Sequence, residues 1–400
     1  MRTNLRALCK FAVLAGSLFF GAGAYAQNDA LLDILVSNGT ITRAQADEVR
    51  TQMARDAGPP APDRVVVTPN RGTISELKIR GRIQGQYAYA DGSNSGVGGG
   101  AGDYSSFELR RVRLGVQGKI YEDWRFLVEA NVLSDTDLDS AMLTYAAHPE
   151  ANIAFGKGKP RFGHEENTSS ASIITMERSR LTGLFNGGKP LGLRVNGAMD
   201  MFSYHVGVFN ATSVSTGRMA SNVDSMLLNA SAGLNLDEMM ADGMRLRFRL
   251  DYLHNDKDRG YYRFKDAWAF STHFVAQEFD VRAEYMTGKT TGDRDKIRGF
   301  YIMPSYYFIP GQFQAVFRYE NIKGDDGVNL GSNRYADRVP GLYRAGNKYD
   351  AFYLGLNYYI YGDNLKLMGG IERARSKDDS DATDARGRST TFISGVRMQF

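Results

Sequence analysis

The sequence predicts an all-β fold: a sixteen-stranded antiparallel transmembrane β-barrel with a short N-terminal helical segment. Three observations predict it. Residues 244–252 alternate without a break, sending Met244, Leu246, Phe248, Leu250 and Tyr252 to one face and Arg245, Arg247 and Arg249 to the other, as a wall between lipid and water requires. The chain holds 44 Gly, 22 Tyr and 22 Phe but only 10 Pro, with a mean hydropathy of -0.37, a mixture that suits many strands, wet turns and aromatic girdles. Outside the first residues no run of about 18 apolar residues occurs, so any membrane crossing falls to strands.

The elements follow in order. Residues 1–26 are expected to be an export signal: Arg2, Arg6 and Lys10 precede the apolar run Phe11 to Phe20, and Ala24-Tyr25-Ala26 is a small-x-small cleavage site. Cys9, the only cysteine, lies within it, so no disulfide framework is expected. Residues 27–57 are expected to form a helical hairpin or coiled-coil segment. Leu31, Leu32, Leu35 and Val36 precede an Asn38-Gly39 turn, and Thr42 with Gln45 makes a capping box before Ala46, Val49 and Met53. Residues 58–75, opening on Gly58-Pro59-Pro60-Ala61-Pro62, are a linker.

The barrel is expected over residues 76–400. Alternating segments fall near 76–90, 106–120, 123–134, 137–148, 150–159, 190–200, 201–211, 224–236, 243–255, 264–276, 277–288, 296–308, 312–323, 348–361, 364–375 and 388–400. Short links (Tyr121-Glu122, Ile309-Pro310-Gly311, Gly362-Asp363) alternate with long ones at 91–105, 324–347 and 376–387. The longest, 160–189, carries an apolar patch at Ile173-Ile174. In the last strand Thr390, Phe392, Ser394, Val396, Met398 and Phe400 share a face, a pattern that resembles the assembly signal of bacterial outer-membrane barrels.

Charge then gives the interior a character. Removing the signal takes three of 49 basic residues and leaves 46 against 45 acidic ones, so the mature chain is nearly neutral and nucleic-acid binding gains no support. With the apolar parity facing lipid, the lumen parity collects Lys78, Arg80, Arg82, Arg111, Arg113, Lys119, Arg125, Arg194, Arg245, Arg247, Arg249, Arg282, Arg318, Lys366 and Arg397. The acids of that parity are fewer: Glu76, Glu129, Asp251, Asp280, Glu284, Glu320 and Glu372. Balancing acid is expected in the loops at Asp325, Asp326, Asp378, Asp379, Asp381 and Asp384. A basic lumen suggests passage of small anions, because a guanidinium fork can hand a phosphate or carboxylate between bidentate partners while remaining weakly hydrated.

The run 107–119 (FELRRVRLGVQGK) resembles the second strand of the phosphate-selective porin O and P family, and 156–163 (GKGKPRFG), then Thr168-Ser169-Ser170, then 176–179 (MERS) resemble that family's strand-to-constriction-loop signature in the same order. The resemblance implies a trimeric outer-membrane porin whose third loop folds into the pore, with outer-membrane lipid and small anions as partners and no cofactor. By position it puts Arg111 and Arg113 near the constriction and Lys157 and Lys159 where the fifth strand enters the folded loop. Thr168, Ser169 and Ser170 would donate to a desolvating anion, and Glu177 with Arg178 would be a structural pair holding the loop. The family's phosphate-specific members carry lysines on the inserted loop, where this chain has His164-Glu165-Glu166-Asn167, so Glu165 and Glu166 are expected to weaken phosphate capture. The full expected anion pathway is Arg80, Arg82, Arg111, Arg113, Lys157, Lys159, Arg245, Arg247, Arg249, Arg282 and Arg318.

Other classes fit less well. No nucleophile elbow or HExxH spacing is present, and the five histidines are dispersed, which argues against an enzyme. A weakly selective general porin, or a structural or adhesive outer-membrane barrel, remains as the alternative.

Overall fold

The computed structural model describes residues 74–96, 100–133, 137–211, 226–256, 262–292, 294–379 and 385–400, together with Val36, Asn38, Thr42 and Gln45. The expected signal and linker lie outside the described residues, as does all of the helical segment but those four. Within it the Thr42 backbone N–H donates to Gln45 Oε1 at 2.9 Å, and the Gln45 N–H donates back to Thr42 Oγ1 at 3.2 Å, the reciprocal bonds of a capping box.

Sixteen strands close into one antiparallel barrel, each paired with its neighbours in sequence and the last with the first. They are β1 (Ile74–Ser95), β2 (Asp103–Ile120), β3 (Trp124–Asn131), β4 (Asp137–His148), β5 (Ala151–Lys157), β6 (Leu191–Met199), β7 (Phe202–Asn210) and β8 (Met226–Asn235). Then come β9 (Met244–Asn255), β10 (Phe264–Ala276), β11 (Phe279–Thr290), β12 (Lys296–Ile309), β13 (Phe313–Gly324), β14 (Lys348–Tyr359), β15 (Leu365–Lys377) and β16 (Arg386–Gln399). All sixteen predicted strands are present. The main departure is at residues 91–105, expected as a loop: there β1 runs on to Ser95 and β2 begins at Asp103, because Asp91 pairs with Asp103 and Ala90 with Tyr104 in the continuing ladder.

Alternation sets the two faces. Ile79, Ile83, Phe107, Leu109, Phe270, Phe300, Phe352 and Phe392 are exposed on the outside, while Arg82, Gln84, Gln86, Glu284, Arg318, Glu320 and Arg397 are buried within. At the short-turn end the outer face carries Tyr121, Trp124, Phe202, Phe279, Tyr306, Phe308, Tyr361 and Phe400, an aromatic girdle. Phe400 closes the seam. Its N–H donates to the Gly81 carbonyl at 3.1 Å, its own carbonyl accepts from the Gly81 N–H at 2.9 Å, and its ring occupies the space a Cβ at position 81 would need.

One irregularity changes the charge of the interior. Gln84 pairs with Arg111 and Gly85 with Leu109, leaving Arg110 as the extra residue of a β-bulge. Strict alternation would send Arg110 to the outside. Instead it donates to Glu177 and Arg111 donates to Gln84, so two consecutive arginines enter the lumen.

The chain from β5 to β6 folds into the barrel, carrying the short helices α1 (His164–Asn167) and α2 (Arg180–Phe185). Its apolar side chains Phe162, Ile174, Leu181, Leu184 and Phe185 are buried with wall residues Phe264, Met286, Tyr301 and Tyr349. The Phe185 and Phe264 rings stack at 4.1 Å. Each fully buried side chain of this size stabilises by about 1.5–3 kcal/mol relative to exposure, and five together give the inserted loop a fixed seat. The backbone of such a loop still needs partners away from bulk water. Three inner-face residues supply them: Asn357 donates to the Ile174 carbonyl at 2.8 Å, Lys366 to that of Ile173 at 3.3 Å, and Arg397 to those of Ser170, Ile173 and Thr175 at 3.1–3.3 Å.

Candidate functional site

Between the inserted loop and the wall of β1, β2 and β3 lies a cavity of about 350 Å³. Its lining has eight cations, Arg80, Arg82, Arg110, Arg111, Arg113, Lys159, Arg178 and Lys189, and two acids, Glu129 and Glu166. Asp139 and Glu177 contact these cations from outside the lining. Four carboxylates against eight cations leave a surplus of about four positive charges.

The surplus is unevenly shared. Arg113 spans Glu129 at 3.3 Å and Asp139 at 2.9 Å, Arg80 reaches Glu129 at 3.2 Å, and Lys189 pairs with Asp139. Arg110 holds Glu177 through two nitrogens at 2.7 and 3.2 Å. By contrast, among the described residues Arg82 donates only to the Ser170 and Ser169 hydroxyls, at 2.6 and 3.1 Å, and Arg111 to the Gln84 amide oxygen at 2.9 Å. The buried Nε of Arg82 has no hydrogen-bond partner among the described residues. Arg82 and Arg111 are therefore held in place by hydrogen bonds to neutral groups. Ser169 and Ser170 accept from Arg82, which leaves their hydroxyl protons available to a ligand. Thr168 turns away, its hydroxyl donating to the His164 carbonyl at 2.9 Å.

Burial pushes the Lys159 ammonium down to about 8 despite the neighbouring Glu166. Burial would raise the Glu177 carboxyl, but the Arg110 guanidinium outweighs it and holds the group at about 2.

The expected pair of Glu177 with Arg178 does not form. Glu177 reaches the wall through Arg110 and Gln86. Arg178 instead bonds the loop's own carbonyls at Glu165 and Thr168, at 3.0 and 2.7 Å, and pairs with Glu166 at 3.4 Å. The two loop glutamates also do something other than oppose anions. Glu165 points into the wall, accepting from Ser179 and Thr182 and lying 3.4 Å from Arg318, while Glu166 is taken up by Lys159 and Arg178. Sequence position gave their charge but not their direction.

The eleven cations expected along one pathway separate into groups. Arg80, Arg82, Arg111, Arg113 and Lys159 line the cavity. Arg247 and Arg249 line a second one of about 320 Å³ with Arg161, His164 and His273. There Arg247 pairs with Asp237, and Arg249 lies 3.0 Å from Asp251, so two of the three arginines in the row have a carboxylate beside them. Arg245 stands exposed at the start of the same strand. Lys157 turns to β4, donating to the Leu138 carbonyl at 2.5 Å. Arg282 makes a two-point bond with Asp280, both contacts 3.1 Å.

Arg318 is the clearest correction. Its side chain is only 2 % exposed and sits among Glu165, Glu320 and Glu372 at 3.4, 3.8 and 2.8 Å. It binds the loop to the wall and does not line either cavity. Alternation placed it correctly on the inner face, but the seated loop covers it.

Arg110, Lys189 and Arg161 were missed. For Arg110 a signal existed: the doublet Arg110-Arg111 breaks an otherwise regular alternation, as a bulge does. Lys189 and Arg161 lie in the inserted loop, where no strand period applies.

The family model of the phosphate-selective porin O and P family matches residues 77–400. Porin O of Pseudomonas aeruginosa is 24% identical over 375 residues, covering 75% of this chain and 83% of that one. Among solved structures, an anion-selective porin from Comamonas acidovorans superposes with a TM-score of 0.55 at 10% identity, over 81% of this chain and 99% of that one. OmpT of Vibrio cholerae in its trimer form gives a TM-score of 0.51 at 11% identity, with 81% and 99% covered. These two structures are similar in fold.

Proposed function

The chain belongs to the phosphate-selective porin O and P family and is an outer-membrane porin, and from that premise we propose that it passes small anions, selecting them in the cavity between the inserted loop and the arginines of β1 and β2. The observation that carries this reading is the surplus of cations there, with Arg82 and Arg111 hydrogen-bonded only to neutral groups among the described residues. An anion that sheds water in so narrow a space needs replacement donors, and guanidinium forks with adjacent hydroxyls supply them. Arg80, Arg113, Lys159 and Lys189 surround this pair but already share carboxylates, so they bind an ion moderately and release it. Several moderate sites permit flux where one deep site would trap the ion.

Phosphate is the favoured substrate within this reading. Glu165 faces the wall and Glu166 is paired with Lys159, so neither stands as a free carboxylate in the path of an anion. The protein is proposed to work as a homotrimer, as the structural neighbour's trimer form suggests.

The test is the reversal potential of the purified protein in a planar bilayer under a KCl gradient, followed by addition of phosphate to the same channels. Anion preference with block of chloride current by phosphate is the expected outcome. Anion preference without block would assign a weakly selective porin, and cation preference would overturn the reading.

A pH dependence follows from Lys159. With its ammonium pushed down to about 8, the cavity loses a positive charge as the pH rises from 7 to 9, so anion preference should fall over that interval. The Lys159→Arg variant stays charged and should show a flat profile. A wild-type profile as flat as that of the variant would remove Lys159 from the selectivity mechanism.

A further inference from the structure

On the outer face of β11 to β16, at the end of the barrel bearing the long loops, Lys289, Lys296, Arg298, Lys323, Arg373 and Arg388 are all exposed and share the outward parity of Tyr285, Phe300, Phe317, Ile371 and Phe392. None of the six side chains has an ion-pair partner among the described residues. Register makes them one belt: Lys289 lies opposite Lys296, Arg298 opposite Lys323, Lys323 opposite Lys348, and Arg375 opposite Arg388. Like charges directly opposite on neighbouring strands repel, and the arrangement recurs across six strands. Asp350 and Asp379 relieve only Lys348, Arg375 and Lys377. Asp379, one of the loop acids expected to balance the basic lumen, instead pairs with cations of this outer face, while Asp381 and Asp384 lie outside the described residues.

The level of the belt identifies what meets it. Arg298 is two residues beyond Phe300 and Arg373 two beyond Ile371, about 7 Å along a strand, which is headgroup height above a lipid-facing band. The same level elsewhere differs: β1 and β2 present Asp91 and Asp103, and β6 and β8 present Leu191 and Met226. The charge is therefore confined to one side of the wall.

We propose that this belt docks the phosphorylated headgroups of outer-leaflet glycolipid. Phosphates seated between the paired cations cancel the cross-strand repulsion, and the acyl chains run down the aromatic and aliphatic band below. Clusters of Lys and Arg at a membrane surface attract anionic headgroups in this way.

The test uses the full-length protein in detergent with bisphosphorylated lipid A as probe, beside its dephosphorylated form. Wild type is expected to bind the phosphorylated lipid at least tenfold more tightly than the dephosphorylated one. The quadruple variant Arg298→Ser, Lys323→Ser, Arg373→Ser, Arg388→Ser should lose that difference while keeping single-channel conductance, since none of the four faces the lumen. Equal binding of the two lipids to wild type would overturn the proposal, as would undiminished binding by the folded variant. Displacement of the lipid by a few millimolar inorganic phosphate would overturn it too, by assigning the belt to free phosphate. Should the variant fail to fold, the comparison of the two lipids on wild type still decides.

Discussion

The double variant Arg82→Glu, Arg111→Glu is expected to abolish anion preference and to bring the reversal potential close to zero. The magnitude follows from the charge in the cavity. Eight cations and four carboxylates leave a surplus of about four, and exchanging two arginines for two glutamates removes the same amount. These two positions also matter more than their number suggests. Arg80 and Arg113 already give part of their field to Glu129 and Asp139, so replacing either also frees a carboxylate partner. Among the described residues Arg82 and Arg111 hydrogen-bond to no carboxylate, so replacing them frees none and more of their charge acts on a permeating ion. Single changes to Gln at either position should give intermediate selectivity with little effect on folding, since Gln retains a donor for Ser170 or Gln84. The Arg247→Glu, Arg249→Glu variant should shift selectivity less, because Asp237 and Asp251 share those charges in the native protein. An unchanged reversal potential in the Arg82, Arg111 variant would place selection elsewhere in the lumen.

Arg318→Met is expected to destabilise the barrel by about 3–5 kcal/mol, the usual consequence of removing one partner from a buried ion cluster. Glu165, Glu320 and Glu372 would then be left together without a cation, each at most 6 % exposed. The same change releases the inserted loop, because Arg318 also donates to the Glu177 carbonyl at 3.0 Å. The channel should become larger and noisier in conductance, and its denaturant midpoint in lipid vesicles should fall. Adding Glu372→Gln should recover part of the loss, with coupling visible in a double-mutant cycle. A variant with native stability and altered selectivity would instead make Arg318 part of the pathway, as its parity alone suggested.

Most of the architecture was legible in the sequence because a barrel strand is specified locally. Its two faces meet different solvents, so a period of two is written into nearly every segment. β4 and β10 have the expected bounds, and Phe400 closes the seam against Gly81. The site was legible only in part. Alternation placed Arg80, Arg82, Arg111 and Arg113 on the inner face, and the resemblance placed Lys159 and the Thr168-Ser169-Ser170 segment beside them. Arg110 was lost to the bulge, since one inserted residue reverses the parity of the strand beyond it, so that Leu109 faces out although Arg111 faces in.

The sequence by itself determined the sixteen strands, their faces and the positive character of the interior, because each depends on contacts between a strand and the solvent on either side of it. Only the tertiary structure decided what each interior charge does. Arg82 and Arg318 carry the same signal, an arginine on the lumen parity of a strand, yet one lines a cavity and the other is sealed among three carboxylates. The difference is where the inserted loop rests, fixed by Phe162, Leu181 and Phe185 packing on the barrel wall, with Phe185 stacked on Phe264, 79 residues further along the chain. Contacts between residues so distant leave no local period, so they appear only once the chain has closed on itself.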